Sequence, residues 1–257
     1  MKNNRHEKLA FKQIVRLEWM DRTLNLVLAG LSEKEIRTDL DRYMATQMQK
    51  GGEGAIRNKA TYGMTIGLLS CWFREDAELG PFRNDLLAVA KRTDQSHWLP
   101  LHMALMCASN PFFMQVCFQI GKLFSLQDQI SSSQVYNRMK DIYGDKETTA
   151  RNTRYAIRTL VSWGMIQDVS GKKGLYSRGA NSEIYDKKTI ALLLEGTLLS
   201  LPDERSEINS LQKNDSLFSF SFDYMSAGML SSLSNGRILS INYGLSNEFV
   251  EIKQASV

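Results

Sequence analysis

Residues 131–178 read SSSQVYNRMKDIYGDKETTARNTRYAIRTLVSWGMIQDVSGKKGLYSR, and the fold of the chain turns on this stretch. A helix turns about 100° per residue, so positions i, i+3, i+4 and i+7 share one stripe. Arg151, Arg154, Tyr155 and Arg158 have that spacing and make a polar, cationic stripe. Thr153, Ile157, Leu160, Val161 and Gly164 make a second stripe suited to a core. One helix is therefore expected to pack on one side and present arginines on the other. Upstream, Ser131, Ser132 and Ser133 are candidate N-caps for a short helix over 134–143, which turns Val135, Met139 and Ile142 inward and stops at Gly144. Residues 145–147 make a turn, Thr148 or Thr149 caps the arginine-bearing helix, and Gly164 closes it after Trp163. Downstream, 165–169 and 175–177 predict two strands joined by a glycine-rich tip that holds Lys172 and Lys173. Helix, turn, helix and lysine-tipped hairpin, in that order, spell a winged helix-turn-helix.

Charge follows the same partition. Residues 131–180 hold nine Lys or Arg against four Asp or Glu, a net of +5, whereas 181–257 hold six against ten, a net of −4. Residues 1–130 add +3, so the whole-chain value of +4 conceals an alternation. A local basic patch attracts phosphate through counterion release whatever the base sequence. The expected DNA-binding residues are Thr148, Thr149, Arg151, Asn152, Arg154, Tyr155 and Arg158 on the helix, with Lys172 and Lys173 on the wing. Tyr155 has two readings: its hydroxyl bonds a phosphate, or its ring leans into the core.

The remainder of the chain predicts helices before the wing and a mixed region after it. Apolar spacing from Phe11 to Leu28 reads as one helix ending near Gly30, and Ser32 with Glu35 makes a capping box for a helix running toward Gln49. Residues 50–54 read as a flexible joint; 57–72, 81–90 and 100–108 read as helices; Asn110-Pro111 caps another over 111–123. Arg37, Arg42, Arg57 and Lys59 read as solubilising, and Trp19, Trp72 and Trp98 as core anchors. After Ser182, residues 187–200 predict an amphipathic helix, 203–212 a short polar one, Phe218-Phe220-Phe222 a strand, 225–233 a helix, and 238–243 with 248–253 a hairpin. Because that acidic half lacks a basic helix, it reads as packing on the first wing or as docking a protein partner or second copy through the Phe strand and the hairpin.

The resulting fold class is mainly α with small β-hairpins: an N-terminal helical region (1–95), a central winged helix-turn-helix domain (96–181) and a C-terminal small α+β domain (182–257) compatible with a degenerate second winged helix. Catalytic signatures are missing: there is no phosphate loop, no Gly-x-Ser-x-Gly elbow and no His-Glu-x-x-His pair. His97 and His102 lie on different helix faces without a Cys-x-x-Cys, so neither a metal nor a cofactor is expected. Three cysteines without framework spacing suit a reducing cytoplasm. The charged start carries no apolar signal core, and the apolar stretch 101–124, broken at Asn110-Pro111, reads as two buried helices and no membrane span.

Residues 99–166 resemble a family of uncharacterised bacterial helical and winged-helix proteins. The likeness is carried by Leu101-His102, Asn110-Pro111-Phe112-Phe113, the Ser-Ser-Gln-Val run at 132–135, Tyr143-Gly144-Asp145 and the close from Arg158 to Gly164. The Gly-Leu-Ser-Asn-Glu run at 244–248 is similar to that family's ending. In architecture the chain more distantly resembles the small DNA-binding accessory protein A of BREX-type phage-defence systems. That resemblance implies duplex binding without catalysis, in regulation or in a defence assembly. The alternative is a non-enzymatic scaffold whose winged domain binds protein.

Overall fold

The computed structural model describes residues 11–47, 58–243 and 247–253. Among the described residues the chain is mainly helical, with strands in three small sheets. Six helices come first: α1 (Leu17–Leu28), α2 (Glu33–Ala45), α3 (Lys59–Leu69), α4 (Gly80–Ala90), α5 (Leu99–Ser109) and α6 (Pro111–Phe124). The first begins six residues later than its apolar spacing predicts. Phe11 and Val15 are fully buried, but the backbone there is tied to another part of the chain: the Val15 amide donates to Thr159 Oγ1 at 3.0 Å, and its carbonyl accepts from Trp163 Nε1 at 3.0 Å. Those bonds satisfy groups that a helix would otherwise have to pair internally. The Ser32–Glu35 capping box of α2 forms as expected, whereas the joint at 50–54 and the run toward Gln49 lie outside the described residues.

Asn110 caps α6 by accepting from the Phe113 amide at 3.2 Å, with Pro111 as the first helical residue. The apolar helices α5 and α6 meet at 117° there, and both are buried. Among the described residues no single helix is long and apolar enough to cross a membrane.

After α6 the chain runs β1 (Gln129–Ser131), α7 (Ser132–Tyr143), α8 (Glu147–Ser162), β2 (Ile166–Asp168) and β3 (Leu175–Arg178). Its strands form an antiparallel sheet in the order β1-β3-β2. Then follow β4 (Ser182–Ile184), α9 (Lys187–Leu199), β5 (Arg205–Glu207), α10 (Ile208–Gln212), β6 (Phe220–Phe222), α11 (Ala227–Leu233), β7 (Ile238–Tyr243) and β8 (Asn247–Ile252). The order β5-β8-β7 is again antiparallel. The second stretch repeats the helix, strand, helix, helix and hairpin order of the first with β6 inserted between α10 and α11, and in each the opening strand, β1 or β5, pairs with the last, β3 or β8.

Three expectations for the second half are corrected. Helix α9 is not amphipathic in place: every residue from Thr189 to Leu199 is buried, Glu195 included. It packs along α5, and Gly196 permits the approach, since a Cβ there would collide with the Ala104 carbonyl. Gly121 of α6 meets the Asp215 backbone in the same way. Residues 203–212 are not one polar helix, because 205–207 are recruited as a strand by β8. The Phe218-Phe220-Phe222 run is not a free docking strand. Only 220–222 are extended, they pair in parallel with β4, Phe220 is buried, and the Phe218 ring lies 5.7 Å from that of Phe124. Its aromatic surface is consumed inside the chain.

Candidate nucleic-acid interface

The unit from α6 to β3 is positioned by local chemistry. Ser131 makes a capping box with Gln134, accepting from its amide at 3.2 Å while Gln134 Oε1 accepts from the Ser131 amide at 2.8 Å. The box starts α7 at Ser132, two residues before the predicted start, and Ser131 also ends β1, a strand the sequence reading missed. Three residues with one buried side chain, Ile130, give too short an alternation to read. Val135 and Met139 face the core as expected, but Ile142 is 48% exposed. The last turn of α7 is instead held by Tyr143, whose ring lies 5.1 Å from Phe112. The turn that follows is tied back to α7. Asp145 accepts from the Tyr136 hydroxyl at 2.6 Å and pairs with Lys140 at 2.5 Å. Lys140 first, then Tyr136, hold its carboxyl below the usual range.

Helix α8 starts at Glu147 with Lys146 at the N-cap and no side-chain cap, so neither Thr148 nor Thr149 caps it. Thr149 points inward, fully buried, and its carbonyl accepts from Thr153 Oγ1 at 2.8 Å. Asn152, 3% exposed, also lies on the core side. Both were expected at the DNA face; the core arc of α8 is wider than the predicted apolar stripe because short polar side chains share it with Ala156, Ile157 and Leu160. Tyr155 is partly buried, with its ring packed against that core.

The cations separate into three kinds. Arg158 is not free. Its guanidinium grips both carboxylate oxygens of Asp168 on β2, at 2.7 and 2.8 Å. Partial burial opposes its charge, but Asp168 and the Tyr176 hydroxyl outweigh that and hold its pKa above the ordinary arginine value. Arg151 lies 3.6 Å from Glu147 one turn earlier, a loose exposed pair. Arg154, Lys172 and Lys173 are exposed and have no ion-pair partner among the described residues. Gly171 and Gly174, at φ of +72° and +75°, shape the tip that presents the lysines.

Arg154, Lys172 and Lys173 line one open groove of about 940 Å³, together with Ser132, Ser133 and Tyr136 of α7. Thr148 is exposed but lies outside its lining, as does Arg151. The Arg158–Asp168 pair also lines it and is neutral overall, so the groove carries three uncompensated positive charges, hydroxyl rims and an apolar floor that includes Ile157 and Tyr176.

The second unit has no such face. Helix α11 contains no charged residue. The prominent arginine before its hairpin, Arg237, is turned inward. It pairs with Glu195 at 2.6 and 2.9 Å and with Asp85 of α4 at 2.8 Å, and Lys188 joins Asp85 at 2.8 Å. Burial pushes the Glu195 carboxyl up, against the pull of Arg237. Among the described residues no three His, Cys, Asp or Glu side chains gather to hold a metal. His102 is buried instead against Asp21 at 2.9 Å, and burial raises the Cys71 thiol to about 12.

The chain matches no protein-family model, no curated protein and no solved structure. The likenesses read at 99–166 and 244–248 therefore add nothing to this geometry, and a functional reading rests on the residues alone.

Proposed function

We propose that residues 111–178 form a winged helix-turn-helix that binds duplex DNA without catalysis, as a regulator or as the DNA-contacting part of a larger assembly. The observation that carries this reading is the convergence of Arg154 from α8 with Lys172 and Lys173 from the hairpin on one groove. Helix and tip are separated in sequence, yet their unpaired cations face a common space, as a phosphate backbone requires. Arg151 and Thr148 extend the exposed face toward the start of α8, the end such helices direct at base edges. The acidic second unit is assigned to packing, since α9 fills the core beneath α5.

The test is a fluorescence-anisotropy titration with random duplex, single-stranded DNA and structured RNA at two salt concentrations. Duplex binding that weakens steeply with salt and exceeds the other two supports the proposal. Absence of duplex binding at low salt, or a preference for either other nucleic acid, contradicts it.

A further inference from the structure

We infer that Arg158, the α8 arginine bound to a carboxylate on the hairpin, is a positioning residue: through Asp168 it holds the β2 side of the lysine tip against α8 and contributes no DNA contact. The inference rests on the duplex-binding reading above and says how that site is held together. Asp168 and Tyr176 are cross-strand partners in the β2–β3 register, and both face the Arg158 guanidinium. They form the last β2–β3 ladder pair before the tip; beyond them the Val169 amide bonds the Leu175 carbonyl at 3.0 Å, turn bonds run within 169–175, and the Gly174 carbonyl accepts from the Ser132 amide at 2.8 Å, which ties the β3 side of the loop to the start of α7. Arg158 therefore reaches from α8 to the base of the hairpin whose tip carries Lys172 and Lys173. The contact runs from one guanidinium nitrogen, Nη1, to both Asp168 oxygens, a charge-assisted tether between α8 and β2. Strands of three and four residues give the hairpin little rigidity of its own; β1 and the Ser132 amide hold its β3 side, and the Arg158 contact holds its β2 side, next to the two lysines.

The inference opposes simple electrostatics, which makes it testable. Asp168 is the sole carboxylate among the groove-lining residues, so if it acts only as a charge, Asp168→Asn must strengthen binding to a polyanion. If it positions the wing, Asp168→Asn weakens duplex binding about tenfold and lowers the salt slope by roughly one to two units, as losing both lysine contacts would. In a Lys172→Ala/Lys173→Ala background the same change should then have little further effect, because the lysines it positions are gone. Exchange of the two side chains, Arg158→Asp with Asp168→Arg, should restore part of the affinity.

A second measurement does not depend on DNA. Hydrogen exchange of the amides at 169–175 should speed up in Asp168→Asn while the amides of α8 stay protected. Tighter or unchanged duplex binding by Asp168→Asn, or unaltered exchange at the tip, overturns the inference. A wild-type protein that ignores duplex DNA overturns the functional reading instead, and the exchange experiment still decides whether Arg158 holds the wing.

Discussion

Residues 111–178 and 187–252 share the order helix, strand, helix, helix and hairpin with the opening strand against the last, the second with β6 inserted, and they spend their charges in opposite ways. In the first unit the opening helix is a partner to the rest of the core, and Arg154, Lys172 and Lys173 are left at the surface. In the second, α9 is enclosed on all sides and its ionic groups are drawn inward to Glu195 and Asp85. Topology fixes neither role. What separates them is where the arginines point: Arg154 into an open groove, Arg237 onto a carboxylate that is 1% exposed.

The most drastic way to break this comparison is to remove the second unit. A chain stopped after Asn181 loses α9 from α5 and the Asp215 segment from Gly121. It uncovers an extensive apolar surface, and the truncated protein is expected to show no cooperative thermal transition by circular dichroism. A two-state melt close to that of the full chain would mean that the first unit folds alone and that α9 is dispensable.

Next in size is the contrast between the two arginine pairs. Arg237→Ala leaves Glu195 buried without its counter-ion and should cost about 3–5 kcal/mol in urea denaturation. Arg158→Ala breaks a pair whose members are 34% and 51% exposed and should cost under about 1 kcal/mol. Equal losses would erase the distinction between an inward and an outward use of arginine. Within the first unit, Arg154→Ala should weaken duplex binding about tenfold, from the usual 1–3 kcal/mol of a direct DNA contact. Thr148→Ala, at an exposed position outside the groove, should change it by less than about threefold on the same scale.

The smallest effect concerns pH. Burial lowers the His102 pKa from its ordinary 6.5, against the pull of Asp21, so the folded state resists a proton that the unfolded chain accepts. Stability is then fully present above the unfolded value and declines as pH falls below it. The denaturation midpoint should drop between about pH 7.5 and 5.5. Replacement of His102 by Gln should flatten that dependence.

Much of this was legible in the sequence because it is local. The box at Ser32–Glu35, the Asn110-Pro111 start and the glycines of the β2–β3 tip act within four residues, and each stands where its residues say. Three side chains of the groove, Arg154, Lys172 and Lys173, were readable for the same reason: helical spacing and a Gly-bounded lysine pair are short-range signals. What escaped depends on residues far away in the chain. The non-helical run at Phe11–Val15 is set by Thr159 and Trp163, and the strand at 205–207 by β8. The inward turn of Thr149 and Asn152 reflects a core whose width periodicity does not give, and the capture of Arg158 by Asp168 requires knowing that β2 returns beside α8.

The most direct test is the salt dependence of duplex binding by the wild-type chain beside the variant in which Arg151, Arg154, Lys172 and Lys173 are all alanine, both shown to melt cooperatively. With four cations at about 0.9 per neutralised phosphate, the wild type should lose affinity with a slope near −3 to −4 in log K against log salt, and the variant should retain little binding or slope. A variant that binds duplex with wild-type affinity and slope would place the interface elsewhere on the chain, and a wild type with no duplex binding at low salt would remove DNA from the function altogether.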